Sequence, residues 1–304
     1  MRRLVLIITL ILCSGACARN AMAEEVIIEH QGLDVVGNLE LASGKSLRSD
    51  GLVILLHDSL SHHRAELMLA MQDILRGYGI NSLAITLSLG LNERRGMFDC
   101  SIEQDHRHED AVDELAAWVA WAKEKGAGGI TLLGHGRGAN QVALYAINKQ
   151  EKLLRRVILL APMMQAFEMA EADYQAQFGK PLRDDLARAE ELVANEEGST
   201  LLDGVGFLQC PSARVTATAF ANYYNANPKF VTTNLLQSVS LPALVVIAAD
   251  DPVAAETEAG LQALGERKSL SKVTIPGADR DFRDLAADEA GKKIRDFMAQ
   301  RPQG

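Results

Sequence analysis

The chain has no apolar run long enough to cross a bilayer. The stretch from Leu4 to Leu12 falls well short of the roughly 20 residues that a spanning helix needs, so a transmembrane helix is not expected. It also lacks blocks of lysine or arginine, the groups that contact phosphates and anionic lipid headgroups, which argues against nucleic acid or a charged membrane as partner. No internal repeat or low-complexity linker divides it. Cysteine is scarce, with four residues, and Cys13 and Cys17 fall within the first twenty. What is present is 304 residues with 48% hydrophobic content, enough to bury the core of one large domain or of one domain with an insertion.

The N-terminus supplies a leader signal. Arg2-Arg3, the short apolar run and Ala21-Met22-Ala23 before Glu24 form the basic head, greasy middle and small-residue cleavage site of a signal peptide. Cleavage after Ala23 makes 1–23 the leader and 24–304 the mature protein, periplasmic or secreted. A lipoprotein reading through Cys17 competes with it, although Ser14 stands where an aliphatic residue is usual. Losing Arg2, Arg3 and Arg19 moves the formal charge from −9 to −12. In an exported protein the remaining pair, Cys100 and Cys210, reads as a disulfide, the alternative being two separate buried thiols.

Strand-like and helix-like segments alternate along the mature chain, the pattern of a mostly parallel central sheet with helices on both faces. Val26 to His30 and Leu33 to Leu41 read as an opening hairpin, and Leu52 to His57 as a buried strand. A helix is expected from about Arg64 to Arg76, a strand from Ser82 to Leu87, and a loop from Gly90 to Gln104. Asp110 to Lys125 is amphipathic, with Val112, Leu115, Trp118, Val119 and Ala122 on one face. Another helix runs to about Asn148, then Arg156 to Leu160 reads as a strand. Residues 163–240 depart from the alternation as a mixture of helical runs and turns. Leu244 to Ala248 and Lys272 to Ile275 restore the sheet around a helix from Thr257 to Leu264, and Asp284 to Gln300 closes the chain as a helix.

The segment Gly129 to Asn140 reads as a buried strand, a glycine-rich turn and a helix, the setting of a G-x-S-x-G nucleophile elbow. Its middle residue is Gly136. With that turn placed, the order of elements resembles the α/β-hydrolase superfamily over essentially the whole mature chain, with 163–240 as an inserted cap. His57-Asp58 is similar to the His-Gly that opens the oxyanion loop of many lipases and esterases, with Asp58 replacing glycine. Ala249 to Val253 resembles the acid turn, and Ile275 to Phe282 the stretch that supplies the histidine. The resemblance therefore implies Gly136 at the nucleophile position, Asp251 at the acid and Arg280 at the base.

Acyl transfer needs an attacking hydroxyl or thiol and an imidazole to take its proton. Glycine has no attacking atom, and a guanidinium is no base near pH 7. The resemblance thus implies a non-catalytic protein that binds a small molecule or a protein partner through the old cleft, without a cofactor. Arg280, Arg137 and the N-terminus of the helix near Gly138 favour an anionic group such as carboxylate or phosphate; Ser59 and His135 are further candidates for ligand contact. Two alternatives stand beside it. An active hydrolase would use Ser59 or Ser61 with His62 or His63. A metal-dependent protein would use His106 and His108, which carry the right ligand types.

Overall fold

The computed structural model describes residues 23–149 and 151–300. The expected leader lies outside them except for Ala23, which begins the first strand. β1 (Ala23–His30) and β2 (Leu33–Glu40) form a hairpin whose turn residues, Gln31 and Gly32, both have positive φ. Such a turn matches the twist of the strands it joins. One helical turn, α1 (Leu47–Asp50), is capped by Ser46 and leads into the fully buried strand β3 (Leu52–Leu56). Then come α2 (Glu66–Gly77), β4 (Ser82–Ile85), α3 (Asp110–Glu124), β5 (Ile130–His135), α4 (Arg137–Asn148) and β6 (Leu154–Leu160). After an insertion containing α5 (Phe167–Phe178), α6 (Leu182–Ala194), β7 (Leu201–Phe207), β8 (Cys210–Thr216), α7 (Ala217–Tyr224) and α8 (Thr232–Leu236), the alternation resumes. It ends with β9 (Ala243–Ala248), α9 (Ala254–Ala263), β10 (Leu270–Ile275) and α10 (Leu285–Ala299).

Eight strands form one sheet in the order β1-β2-β4-β3-β5-β6-β9-β10. β1 pairs antiparallel with β2, and β2 with β4; every other pairing is parallel. The central parallel strands β3, β5 and β9 are buried on both sides, which is why they read as unbroken apolar runs rather than alternating ones. Leu115, Trp118 and Val142 from α3 and α4 pack one face. Met68, Met71, Ile294 and Phe297 from α2 and α10 pack the other. Strand order reverses at β3, with β4 on one side and β5 on the other, so the loops leaving the carboxyl ends of the parallel strands meet in one crevice.

The insertion has its own core, in which Tyr174, Phe207, Phe220 and Tyr224 stack edge to face and Leu60 from the loop after β3 joins them. Its hairpin β7–β8 is a departure from the helical runs and turns expected of 163–240. The two-residue period is hidden because the register shifts around Val205, with Gly204 and Gly206 on either side. Among the described residues no helix is long and apolar enough to cross a membrane.

Cys100 and Cys210 form a disulfide between the loop after β4 and the start of β8, 110 positions apart in sequence. In the chain-entropy account a crosslink closing a loop of that order removes about 4–5 kcal/mol of freedom from the unfolded chain. Replacing both cysteines by serine should therefore lower the urea midpoint clearly. An unchanged midpoint would mean that the insertion is held by its aromatic core alone.

Candidate functional site

Four strand ends build the crevice. His57 and Asp58 follow β3, Gly136 follows β5, Asp251 follows β9 and Arg280 follows β10. Gly136 has φ 56° and ψ −117°, a conformation open to glycine but strained for any residue with a Cβ. Its N–H donates to Leu160 O at 2.9 Å and its carbonyl accepts from Met163 N at 3.0 Å, so the end of β6 holds the turn in place. Gly134 and Gly138 let the backbones cross: a Cβ on the first would overlap the Gly138 carbonyl, and one on the second the His57 carbonyl.

The space above Gly136 is already occupied. A Cβ built on Gly136 would overlap the carboxyl group of Asp58. Asp58 Oδ1 accepts from Arg137 N at 2.6 Å, Ser59 N at 2.8 Å and Ser59 Oγ at 3.2 Å; Oδ2 accepts from Arg280 Nε at 3.2 Å. The residue after the elbow position normally lends its N–H to an oxyanion hole. Here that N–H binds the protein's own carboxylate, which also meets the positive end of the α4 dipole. The anion expected at this helix N-terminus is supplied from within.

Arg280 bridges two acids. Its Nη1 lies 3.2 Å from Asp251 Oδ2, while Asp251 Oδ1 accepts from Val253 N at 3.0 Å. Burial by itself would raise the Asp58 pKa, but Arg280, His135 and the Arg137 N–H hold the carboxyl well below the usual carboxylate range. Burial likewise works against the Arg280 charge, and the two carboxylates outweigh it, raising its pKa. Asp58 therefore remains an anion with all its near donors engaged. His135 Nε2 donates to the Arg280 carbonyl at 2.8 Å, so that nitrogen carries a proton.

Arg137 turns away from the crevice floor. Its Nη2 donates to Gln165 Oε1 at 2.6 Å, its Nε to Ser59 Oγ at 3.3 Å, and its guanidinium lies 5.1 Å from the centre of the Tyr223 ring. Ser59 Oγ is thus held between Asp58 and Arg137, with no imidazole bonded to it. Of the neighbouring histidines, His62 Nδ1 accepts from Arg64 N and His63 is held by Thr86 Oγ1, so neither reaches Ser59 or Ser61 by a hydrogen bond. His57 is buried; its Nδ1 donates to Asp58 O at 2.9 Å and its Nε2 accepts from Leu87 N at 3.1 Å. Burial, reinforced by Arg94, pushes it down to about 3, so the ring is neutral.

His106 and His108 are buried and consumed by neighbours. His106 bonds Tyr223 OH at 2.8 Å and Gln104 Oε1 at 3.4 Å; His108 bonds Asn140 Oδ1 at 2.8 Å and Arg137 Nη1 at 3.4 Å. Among the described residues no group of three or more His, Cys, Asp or Glu could hold a metal ion. Together these bonds tie the start of α3 to the insertion and to α4.

Sequence reasoning did not foresee the reach of Asp58, nor Gln165, Asn140 and Arg94. Arg94 is buried and donates to the carbonyls of Leu60, Ser61, Leu87 and Gly96, clamping the loop after β3 to the loop after β4. The one available signal was the aspartate in a position the resemblance gives to glycine.

Asp58 and Gln209 stand between two cavities and line both. The smaller, about 240 Å³, lies under the insertion with Arg137, Gln165, Tyr174 and Arg280 in its walls. The larger, about 510 Å³, lies between the start of α2 and the loop leading into α10.

A mostly parallel eight-stranded sheet wrapped by helices, with a strand-to-helix elbow at its switch point, is the α/β-hydrolase fold. No protein-family model matches the chain, and no curated protein matches it. Solved structures do. Est1E from Butyrivibrio proteoclasticus is 17% identical and aligns over 91% of this chain and 99% of its own, with a TM-score of 0.61. The α/β hydrolase GrgF from Penicillium sp. sh18 is 16% identical, over 91% of this chain and 98% of that one, with a TM-score of 0.64. A monoacylglycerol lipase from Paleococcus ferrophilus is 14% identical, over 88% and 98%, with a TM-score of 0.60. At these identities the likeness is one of fold, and function has to be argued from the site.

Proposed function

We propose that this protein is an exported, non-catalytic member of the α/β-hydrolase fold that binds a ligand or partner beside a filled-in hydrolytic centre. One observation carries the reading: the Asp58 carboxylate lies over Gly136 and takes the Arg137 N–H. Acyl transfer needs a nucleophile above the elbow and free donors for the developing oxyanion. In this chain the same carboxylate fills both places, and Arg280, in the position the resemblance gives to the base, locks it there. Export rests on the leader pattern at 1–23 and is in keeping with the Cys100–Cys210 disulfide.

A second reading, an active esterase-like hydrolase with non-standard residues, is favoured by the esterases and the lipase among the similar structures and by the preserved elbow backbone. A fluorophosphonate probe separates the two. The mature chain should remain unlabelled and should not turn over p-nitrophenyl esters above the buffer rate. Labelling that Ser59→Ala abolishes would instead establish a displaced nucleophile.

A further inference from the structure

We infer that the larger cavity is a binding site for an amphipathic amine, a molecule with an aliphatic body and a cationic head. The inference rests on the reading above, in that Asp58 and Arg280 neutralise each other and offer an incoming anion no free cation. At about 510 Å³ the cavity falls within the range of small-molecule sites. Its inner wall is apolar, with Leu60, Leu67, Met68 and Phe282 all buried. The greasy character continues to the mouth, where Met97 is 60% exposed and Leu285, beside the lining residue Asp284, is 80% exposed.

The charged side chains around this cavity are mostly carboxylates, Asp58, Glu66, Asp281 and Asp284 against Arg283. His135, 5% exposed, bonds the Arg280 carbonyl through Nε2 and has no hydrogen-bond partner at Nδ1 among the described residues. The side chains of Glu66 and Asp284, both exposed at the mouth, have no ion-pair or hydrogen-bond partner among the described residues. The one cation in the lining, Arg283, is taken by Asp279 at 2.8 Å and Asp281 at 2.7 Å. An ammonium brings donors to these acceptors and positive charge to the unpaired carboxylates. A carboxylate or phosphate would face acceptors and like charge.

The test is calorimetric titration of the mature chain at low ionic strength with octylamine, octanol and octanoate, three probes with the same tail. Octylamine should bind about tenfold more tightly than octanol, with octanoate weakest, and its advantage should shrink as salt is raised. Glu66→Gln with Asp284→Asn changes exposed side chains only; it should bring octylamine close to octanol and leave octanol unchanged. Ala70→Trp, which projects a ring from α2 into the cavity, should weaken all three. The inference is overturned if none of the probes binds, if octanoate matches octylamine, or if the amine advantage survives the double charge variant. Turnover of p-nitrophenyl octanoate, followed in parallel, reports on the non-catalytic reading separately. Hydrolysis with the amine preference intact would sink that reading alone, and silence with no amine binding would sink only the ligand class.

Discussion

Gly136→Ser combined with Arg280→His should give ester turnover barely above the buffer rate, and adding Asp58→Gly should raise it at least about a hundredfold over that double variant. The first half follows from space. A serine Cβ at position 136 overlaps the Asp58 carboxyl, so the restored hydroxyl cannot stand where attack requires it. Donors matter as much: the Arg137 N–H stays bound to Asp58 Oδ1, and one missing oxyanion donor typically costs a factor of 10²–10³. Removing the Asp58 side chain frees both at once. Asp251, already fixed by the Val253 N–H, would then face the new imidazole instead of the guanidinium. A complete triad is worth about 10⁶ in rate, so a hundredfold recovery asks for only a fraction of it. The same overlap predicts that Gly136→Ser alone destabilises the fold by roughly 3 kcal/mol, from backbone strain and overpacking, and that Asp58→Gly relieves part of this. Urea unfolding of the two single variants and the pair gives the coupling. Full activity in the double variant with Asp58 intact would show that the carboxylate moves aside easily, and the lock would lose its meaning.

The architecture was legible in the sequence because buried parallel strands leave unbroken apolar runs and the helices between them leave spacings of three and four. Leu52–Leu56, Ile130–His135 and the α3 face behaved in this way. The elbow could be placed for a local reason: Gly134, Gly136 and Gly138 answer to backbone crossings and a positive φ that only glycine accommodates. The β7–β8 hairpin escaped, since a shifted register mixes its inward and outward positions. The occupant of the site escaped for a different reason. Gly136 and Asp58 lie 78 positions apart in sequence, and no periodicity connects a vacancy on one loop with a side chain on another. The same holds for Arg137, whose charge suggested a free anion contact and whose guanidinium is instead shared among Ser59, His108, Gln165 and Tyr223. Composition lists the groups; only the fold shows which are already paired.

Mild acid should destabilise this protein steeply. Burial pushes His57 and His106 down to about 3 and His63 to about 4, and holds His108 well below its ordinary value. In the unfolded chain each ring titrates near 6.5, so between about pH 6.5 and 4 the unfolded state binds protons that the folded state refuses. A histidine with a depressed folded pKa contributes stability that is complete above 6.5 and is lost as pH falls toward its folded value. Each such ring costs about 1.4 kcal/mol per pH unit in this window. Glu114 runs the other way: burial raises it to about 7, so it contributes fully below its ordinary 4.5 and loses that contribution as pH rises through 7. Four imidazoles against one carboxyl leave a net loss of about 4 kcal/mol per pH unit near pH 5.5. Against a total stability of order 5–15 kcal/mol, a summed loss of about 6 kcal/mol between pH 7.5 and 5 removes much of the margin. Urea midpoints at pH 7.5, 6.5 and 5.5 measure this slope directly. His106→Asn, which keeps a polar partner for Tyr223, should reduce the slope by about one proton, and Glu114→Gln should steepen it. A midpoint that stays level from pH 7.5 to 5.5 would mean that these rings take up protons within the folded protein, and that the packing of His57 and His106 around the crevice is looser than their hydrogen bonds imply.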